Sequence, residues 1–187
     1  MTRIALLVAL LCLAACAGQP IEPSHYLLRA PNAAESRPLQ FSTDYALGSV
    51  GIAPYLDQPG LILETPDGTL RAARNHLWAE PVFDAVQNYL RETLSAALGQ
   101  DLPLAPQRAD VTRINVRIDQ MHGTRDGQAR LIAYWWLSQG DTLGDAFKFA
   151  QTRALERDGY AALAQAQAAL LTELGEQIAG ALRPARP

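Results

Sequence analysis

Cysteine is nearly absent from this chain: it has two, Cys12 and Cys16, both within the first sixteen residues. Nothing downstream can form a disulfide, so the body of the protein must rely on its core even where an oxidising compartment would permit cross-links. Lysine is scarcer still, with Lys148 alone against fifteen arginines. A formal charge of −3 and a pI of about 5.6 exclude the strongly basic balance of a nucleic-acid binder. They also give no bulk attraction to an anionic membrane. Beyond the first thirteen residues there is no long apolar run, so no second segment is expected to cross a bilayer. HExxH, CxxC, a phosphate-binding glycine loop closed by Lys-Ser/Thr and a serine nucleophile elbow are all missing. Gly48-Ser49-Val50-Gly51 resembles the elbow only superficially and lacks its spacing.

What is present begins at the N-terminus. Arg3 supplies a positive charge, Ile4 to Leu13 a short apolar run, and Ala14-Ala15 two small residues directly before Cys16. This is the layout of a secretory signal, too short to span a bilayer as a helix. The cysteine placed after the small pair reads as a lipobox, in which the thiol is diacylated, the signal removed and Cys16 left as the acylated N-terminus. The plainer alternative is an ordinary signal with a chance cysteine near its end. Several acyl chains on one residue anchor a soluble domain durably, whereas one is marginal. Ala17 follows, where an aspartate usually retains a lipoprotein at the inner membrane, so the periplasmic face of the outer membrane is the expected destination. Cleavage leaves 172 of 187 residues and moves the charge to −4. That length suits one domain with a sizeable core.

Residues 1–15 are thus read as signal, 16–24 as acylated cysteine and proline-bearing tether, and 25–187 as a single domain. Short strands are expected at His25–Arg29, Tyr45–Ala53, Leu61–Glu64 and Thr69–Ala72, the last two joined by the turn Pro66-Asp67-Gly68. A helix runs from Pro81 to the cap Gly99, with Val82, Val86, Tyr89, Leu90, Leu94, Ala97 and Leu98 as its apolar stripe. From Arg113 to Met121 the alternation is strict, giving a strand with one wet face. After the Asp126-Gly127 turn, Leu131–Leu137 is apolar on both faces, hence a central strand or one covered by a partner. Ser138–Asp145 reads as a polar loop and Ala146–Arg153 as the third strand of this meander. The last and longest helix is expected to start at an Asp158 N-cap and to end at Arg183-Pro184. The order is strands, helix, three-stranded meander, helix. It predicts an α/β fold in which a single mixed β-sheet is packed by two amphipathic helices, with α+β as the alternative.

Few residues suggest chemistry. His25, His76 and His122 lie in three different elements, and each reads more readily as a surface or edge residue than as a ligand. His122 with Asp119 or Asp126 is the one conceivable catalytic dyad. Trp135-Trp136 would stack on a sugar or lipid, or serve as core on one face and interface on the other. Trp78, just before the first helix, reads as a hydrophobic staple.

Several segments fit one family pattern. They are the signal with its cysteine, Tyr26-Leu27-Leu28, the run Val50 to Pro59 with Tyr55-Leu56-Asp57-Gln58-Pro59, Trp78-Ala79-Glu80-Pro81, Leu131 to Trp135, and the alanine-rich last helix. Together they resemble the PqiC-like family of ABC-type transport auxiliary lipoproteins over essentially the whole mature chain. His76 and Leu77 depart from the pattern, where a basic residue is typical. The resemblance implies a non-catalytic outer-membrane lipoprotein of an MCE/ABC-type system moving lipid or an organic solute across the envelope and contributing to membrane integrity. It implies no cofactor. It implies as partners an MCE-domain protein and an inner-membrane permease, often with an ATPase, and assembly into a ring. Tyr55, Leu56 and Trp78 are then candidates for a partner or subunit contact; the competing reading packs Trp78 and Tyr55 inside each protomer. Two rival functions remain. A hydrolase would need a pocket bringing His122, a carboxylate and a hydroxyl together. A glycan- or lipid-binding module would need an exposed Trp135 or Trp136 beside polar groups.

Overall fold

The computed structural model describes residues 21–31, 38–104 and 110–183. The expected signal, Cys16 and the first part of the tether lie outside them. Seven strands form one mixed sheet: β1 (Ser24–Tyr26), β2 (Tyr45–Ile52), β3 (Gly60–Glu64), β4 (Leu70–Trp78), β5 (Thr112–Gly123), β6 (Gln128–Gln139) and β7 (Thr142–Ala154). The spatial order is β1-β4-β3-β5-β6-β7. β2 lies parallel to β5 along residues 112–118, on the edge that β3 reaches at Gly123. A 3₁₀ turn, Pro54–Leu56, carries the chain from β2 to β3. Two helices, α1 (Val82–Leu98) and α2 (Tyr160–Leu182), complete the α/β fold expected from the sequence.

Both helices cover one face of the sheet. Leu47, Ile114, Val116, Ile118, Leu131, Ala133 and Trp135 meet Val86, Tyr89, Leu90 and Leu94 of α1 and Leu163, Leu170, Leu174 and Ile178 of α2 in one core. Each fully buried large apolar side chain contributes about 1.5–3 kcal/mol, which is how a body without disulfides holds together.

α1 starts and stops where its sequence indicates. Pro81 is its N-cap, and its carbonyl accepts the Ala85 N–H at 3.0 Å. Gly99 ends it at φ 73°, in the left-handed region that glycine enters without steric cost. The helices cross closely at Gly175, where an added Cβ would lie 2.6 Å from Thr93 Cγ2.

Several sequence readings need correction. The first strand is Ser24–Tyr26, so Leu27–Arg29 of the expected His25–Arg29 lie outside it. β4 extends to Trp78, so Asn75–Trp78 is strand and not a lead-in to the helix. It is held on both edges, by β1 from Ser24↔His76 to Tyr26↔Trp78 and by β3 at Gly60↔Leu77. The N-cap of α2 is Gly159 in place of Asp158, because the backbone turns through φ 112°, which a side chain would oppose. The polar stretch Ser138–Asp145 is mostly strand: β6 runs to Gln139 and β7 begins at Thr142, with Gly140 at φ 56° making the tight turn.

Candidate functional site

The segments singled out in the sequence converge on one corner of the molecule. The Trp78 N–H donates to the Pro59 carbonyl at 2.7 Å, and the Ala79 N–H to the Tyr26 carbonyl at 2.8 Å. One residue further on, Glu80 forms an ion pair with Arg29, which holds its carboxyl below the usual carboxylate range. β1 and the segment before β3 are therefore laced by backbone hydrogen bonds to Trp78 and Ala79, and the Arg29–Glu80 ion pair adds a side-chain tie just before α1. The side chains mostly point inward. Leu56 and Trp78 are 1 % and 7 % exposed. Tyr55 is half-buried with its hydroxyl beside the Met121 backbone; burial pushes its pKa up, the Met121 contact pulls it back, and the Asp119 carboxylate adds to the rise. Of the three candidate contact residues, Tyr55 alone retains appreciable surface.

His76 ties the same corner to the last helix. Its ring stacks on Tyr160 at 4.1 Å between centroids, and its Nδ1 lies 2.9 Å from the Tyr26 hydroxyl. His122 is buried, with Nδ1 3.2 Å from the Gly123 carbonyl, an acceptor that requires the proton on that nitrogen. Among the described residues it makes no side-chain bond to a carboxylate or hydroxyl, and His25, His76 and His122 are not brought together. Two shallow hollows lie on the helical side, flanking Pro31. One, of about 260 Å³, is lined by Ala30, Glu92, Thr93 and Glu176. The other, of about 420 Å³, is lined by Arg29, Tyr89, Arg153 and Glu173. Neither includes a histidine, and among the described residues no three His, Cys, Asp or Glu groups are placed to hold a metal ion.

The remaining distinctive surface is the face of the sheet opposite the helices. β6 alternates Ala129, Leu131, Ala133 and Trp135 into the core with Arg130, Ile132, Tyr134 and Trp136 outward. Trp135 is 2 % exposed and stacks on Phe147 at 4.4 Å, while Trp136 is half-buried, so the adjacent pair is divided between the faces. Register places Arg117 of β5 and Lys148 of β7 on either side of Tyr134. Lys148 Nζ sits 5.9 Å from the centre of that ring. Beside Trp136, Asn115 is spent internally: its Oδ1 accepts the Ser49 N–H and hydroxyl at 3.0 Å each, and its Nδ2 donates to Ser138 Oγ at 2.9 Å.

Residues 26–179 match the model of a family described as the ABC-type transport auxiliary lipoprotein component. The chain belongs to this family. As a transport auxiliary lipoprotein it is 26% identical, over 175 residues and 92% of both chains, to the intermembrane transport lipoprotein PqiC of Escherichia coli. A crystal structure of an uncharacterised protein superposes with a TM-score of 0.72 at 25% identity, covering 87% of this chain and 99% of the other. A Xanthomonas campestris protein shares the fold with a TM-score of 0.66 at 16% identity, covering 84% and 93%. The matched stretch of this transport auxiliary lipoprotein begins at Tyr26, at the end of β1 in the laced corner, and ends at Ala179, near the end of α2. Sequence reasoning missed the Arg117–Tyr134–Lys148 row.

Proposed function

We propose that this transport auxiliary lipoprotein is a non-catalytic subunit of an MCE/ABC-type system that moves lipid or an organic solute across the envelope and supports membrane integrity. Cys16 carries the acyl anchor, at the periplasmic face of the outer membrane. The partners are an MCE-domain protein and the inner-membrane permease, and copies of the chain close into a ring. The observation that carries this reading is the family match over the folded body, joined to a sequence that places a lipobox directly before the tether. The laced corner supports it mechanically. Force or position at the tether passes through β1 into β4 by backbone hydrogen bonds and on toward α1 by the Arg29–Glu80 pair, an arrangement suited to assembly and with no need of a reactive group. Within that corner, Tyr55 is the side chain for a partner or subunit contact.

The anchor is tested in cells lacking the chain. Restoration of detergent resistance by the native chain but not by Cys16→Ser, with both produced at equal levels, is the expected result. Equal rescue by the two would overturn the anchored reading.

A further inference from the structure

We propose that the helix-free face of the sheet rests on the anionic headgroups of the bilayer in which the chain is anchored, with Arg117, Tyr134 and Lys148 as the centre of the contact. This deepens the reading above and rests on it. The three side chains form one row across β5, β6 and β7. Arg117, Arg130 and Lys148 have no carboxylate partner among the described residues, in contrast to Arg29 and Arg153, which the helical side pairs with Glu80 and Glu173. The acids of β5, β6 and β7, Asp119 and Asp145, fall at the register shifts that border the patch. Ile132 and Trp136 flank Tyr134 along β6. Opposite them on β7 stand Ala150 and Ala146, so the β7 neighbours of Ile132 and Trp136 are small. Tyrosine and tryptophan with an apolar body and a polar edge, set among unpaired cations, have the composition of a surface that sits at the water–lipid boundary.

The tether argues for the bilayer over an acidic protein. From Cys16 to Ser24 the chain spans at most about 28 Å, and it joins the sheet at β1. The cationic row lies toward the far side, and β1 to β7 is about 24 Å across at the usual strand spacing. With the sheet face down, one edge is held by the anchor and the other by the cations, both within reach of the same surface. The formal charge, −4 once the signal is removed, gives no general attraction to anionic lipid, so adhesion must come from this face and must weaken with salt.

Lys148 makes the test specific, because it is the sole lysine of the chain. The acylated chain is placed in vesicles of neutral phosphatidylcholine or of the same lipid with roughly one-third phosphatidylglycerol, and a water-soluble amine reagent is added. Modification of Lys148 is then followed by peptide mass spectrometry. Labelling is expected to slow about fivefold in the anionic vesicles, the size of one cation near such a surface. About 0.5 M salt or Arg117→Glu, at an exposed position, should restore the rate. Equal rates in both vesicles, or slowing that Arg117→Glu leaves intact, would overturn the proposal. So would protection of Lys148 by an acidic protein and not by lipid. The N-terminal peptide in the same digest reports whether Cys16 is acylated. If it is not, the chain is added to preformed vesicles and the same comparison decides, so failure of the anchor and failure of the face give different results.

Discussion

Asn115 and Gly175 show how single residues hold the layers in place. Asn115 is 6 % exposed, and its amide spans β2, β5 and β6 by bonding Ser49 and Ser138. It fixes the irregularity at Gly48, where a Cβ would come within 2.5 Å of Asn115 Oδ1. A buried polar group is tolerated there because it is satisfied on both sides. Gly175 does the same for the helices by allowing them to touch at Thr93. Gly175→Ala should destabilise the fold by about 1–3 kcal/mol through overpacking. Gly180→Ala, on the same helix with nothing within 4 Å, should be neutral or stabilising by up to about 1 kcal/mol. Urea unfolding of the two variants checks this. Equal effects would mean that the close crossing contributes nothing.

At the scale of elements, the β3–β4 turn depends on pH. Thr65, Thr69 and the Thr69 N–H hydrogen-bond the Asp67 carboxylate and hold its pKa below the ordinary carboxylate value. A depressed carboxyl contributes stability that is present above its unfolded pKa and lost as pH falls through its folded one. Amide protection at Thr69 should therefore persist at neutral pH and fall below about pH 4, and Asp67→Asn should abolish that pH dependence. Hydrogen exchange measured across the acid range checks both.

Much of this level was legible in the residues themselves. The edges of α1 follow from Pro81 and Gly99, and β5 from its two-residue alternation. The β5–β6 hairpin follows from Asp126-Gly127, with Gly127 at φ 72°. What escaped depends on neighbours distant in sequence. The second half of β4 is strand because β1 pairs with it from fifty-two residues upstream. The start of α2 moved by one residue because backbone direction at Gly159 outweighed the capping preference of Asp158. The candidate contact residues were recognised as distinctive, yet hydrophobicity alone did not show that Leu56 and Trp78 turn inward. The cationic row was invisible for a related reason: Arg117, Tyr134 and Lys148 come from three strands, and strand register alone makes them neighbours.

At the scale of the whole molecule, the fold divides into faces with separate demands. One face of the sheet is closed by two helices, and the other presents aromatic and cationic side chains. Between them, the corner around β1 is braced by Arg29–Glu80 and by the Tyr26–His76–Tyr160 stack. Among the described residues no helix is long and apolar enough to cross a membrane. The central proposal is that this lipoprotein works as a subunit of an envelope transport system. Affinity capture of the acylated chain from gently solubilised envelopes, with mass spectrometry of the retained proteins, tests it most directly. The account predicts recovery of an MCE-domain protein together with its permease, reduced when Tyr55→Ala is used as bait at equal abundance. Recovery of neither protein, with the bait intact and acylated at native abundance, would contradict it.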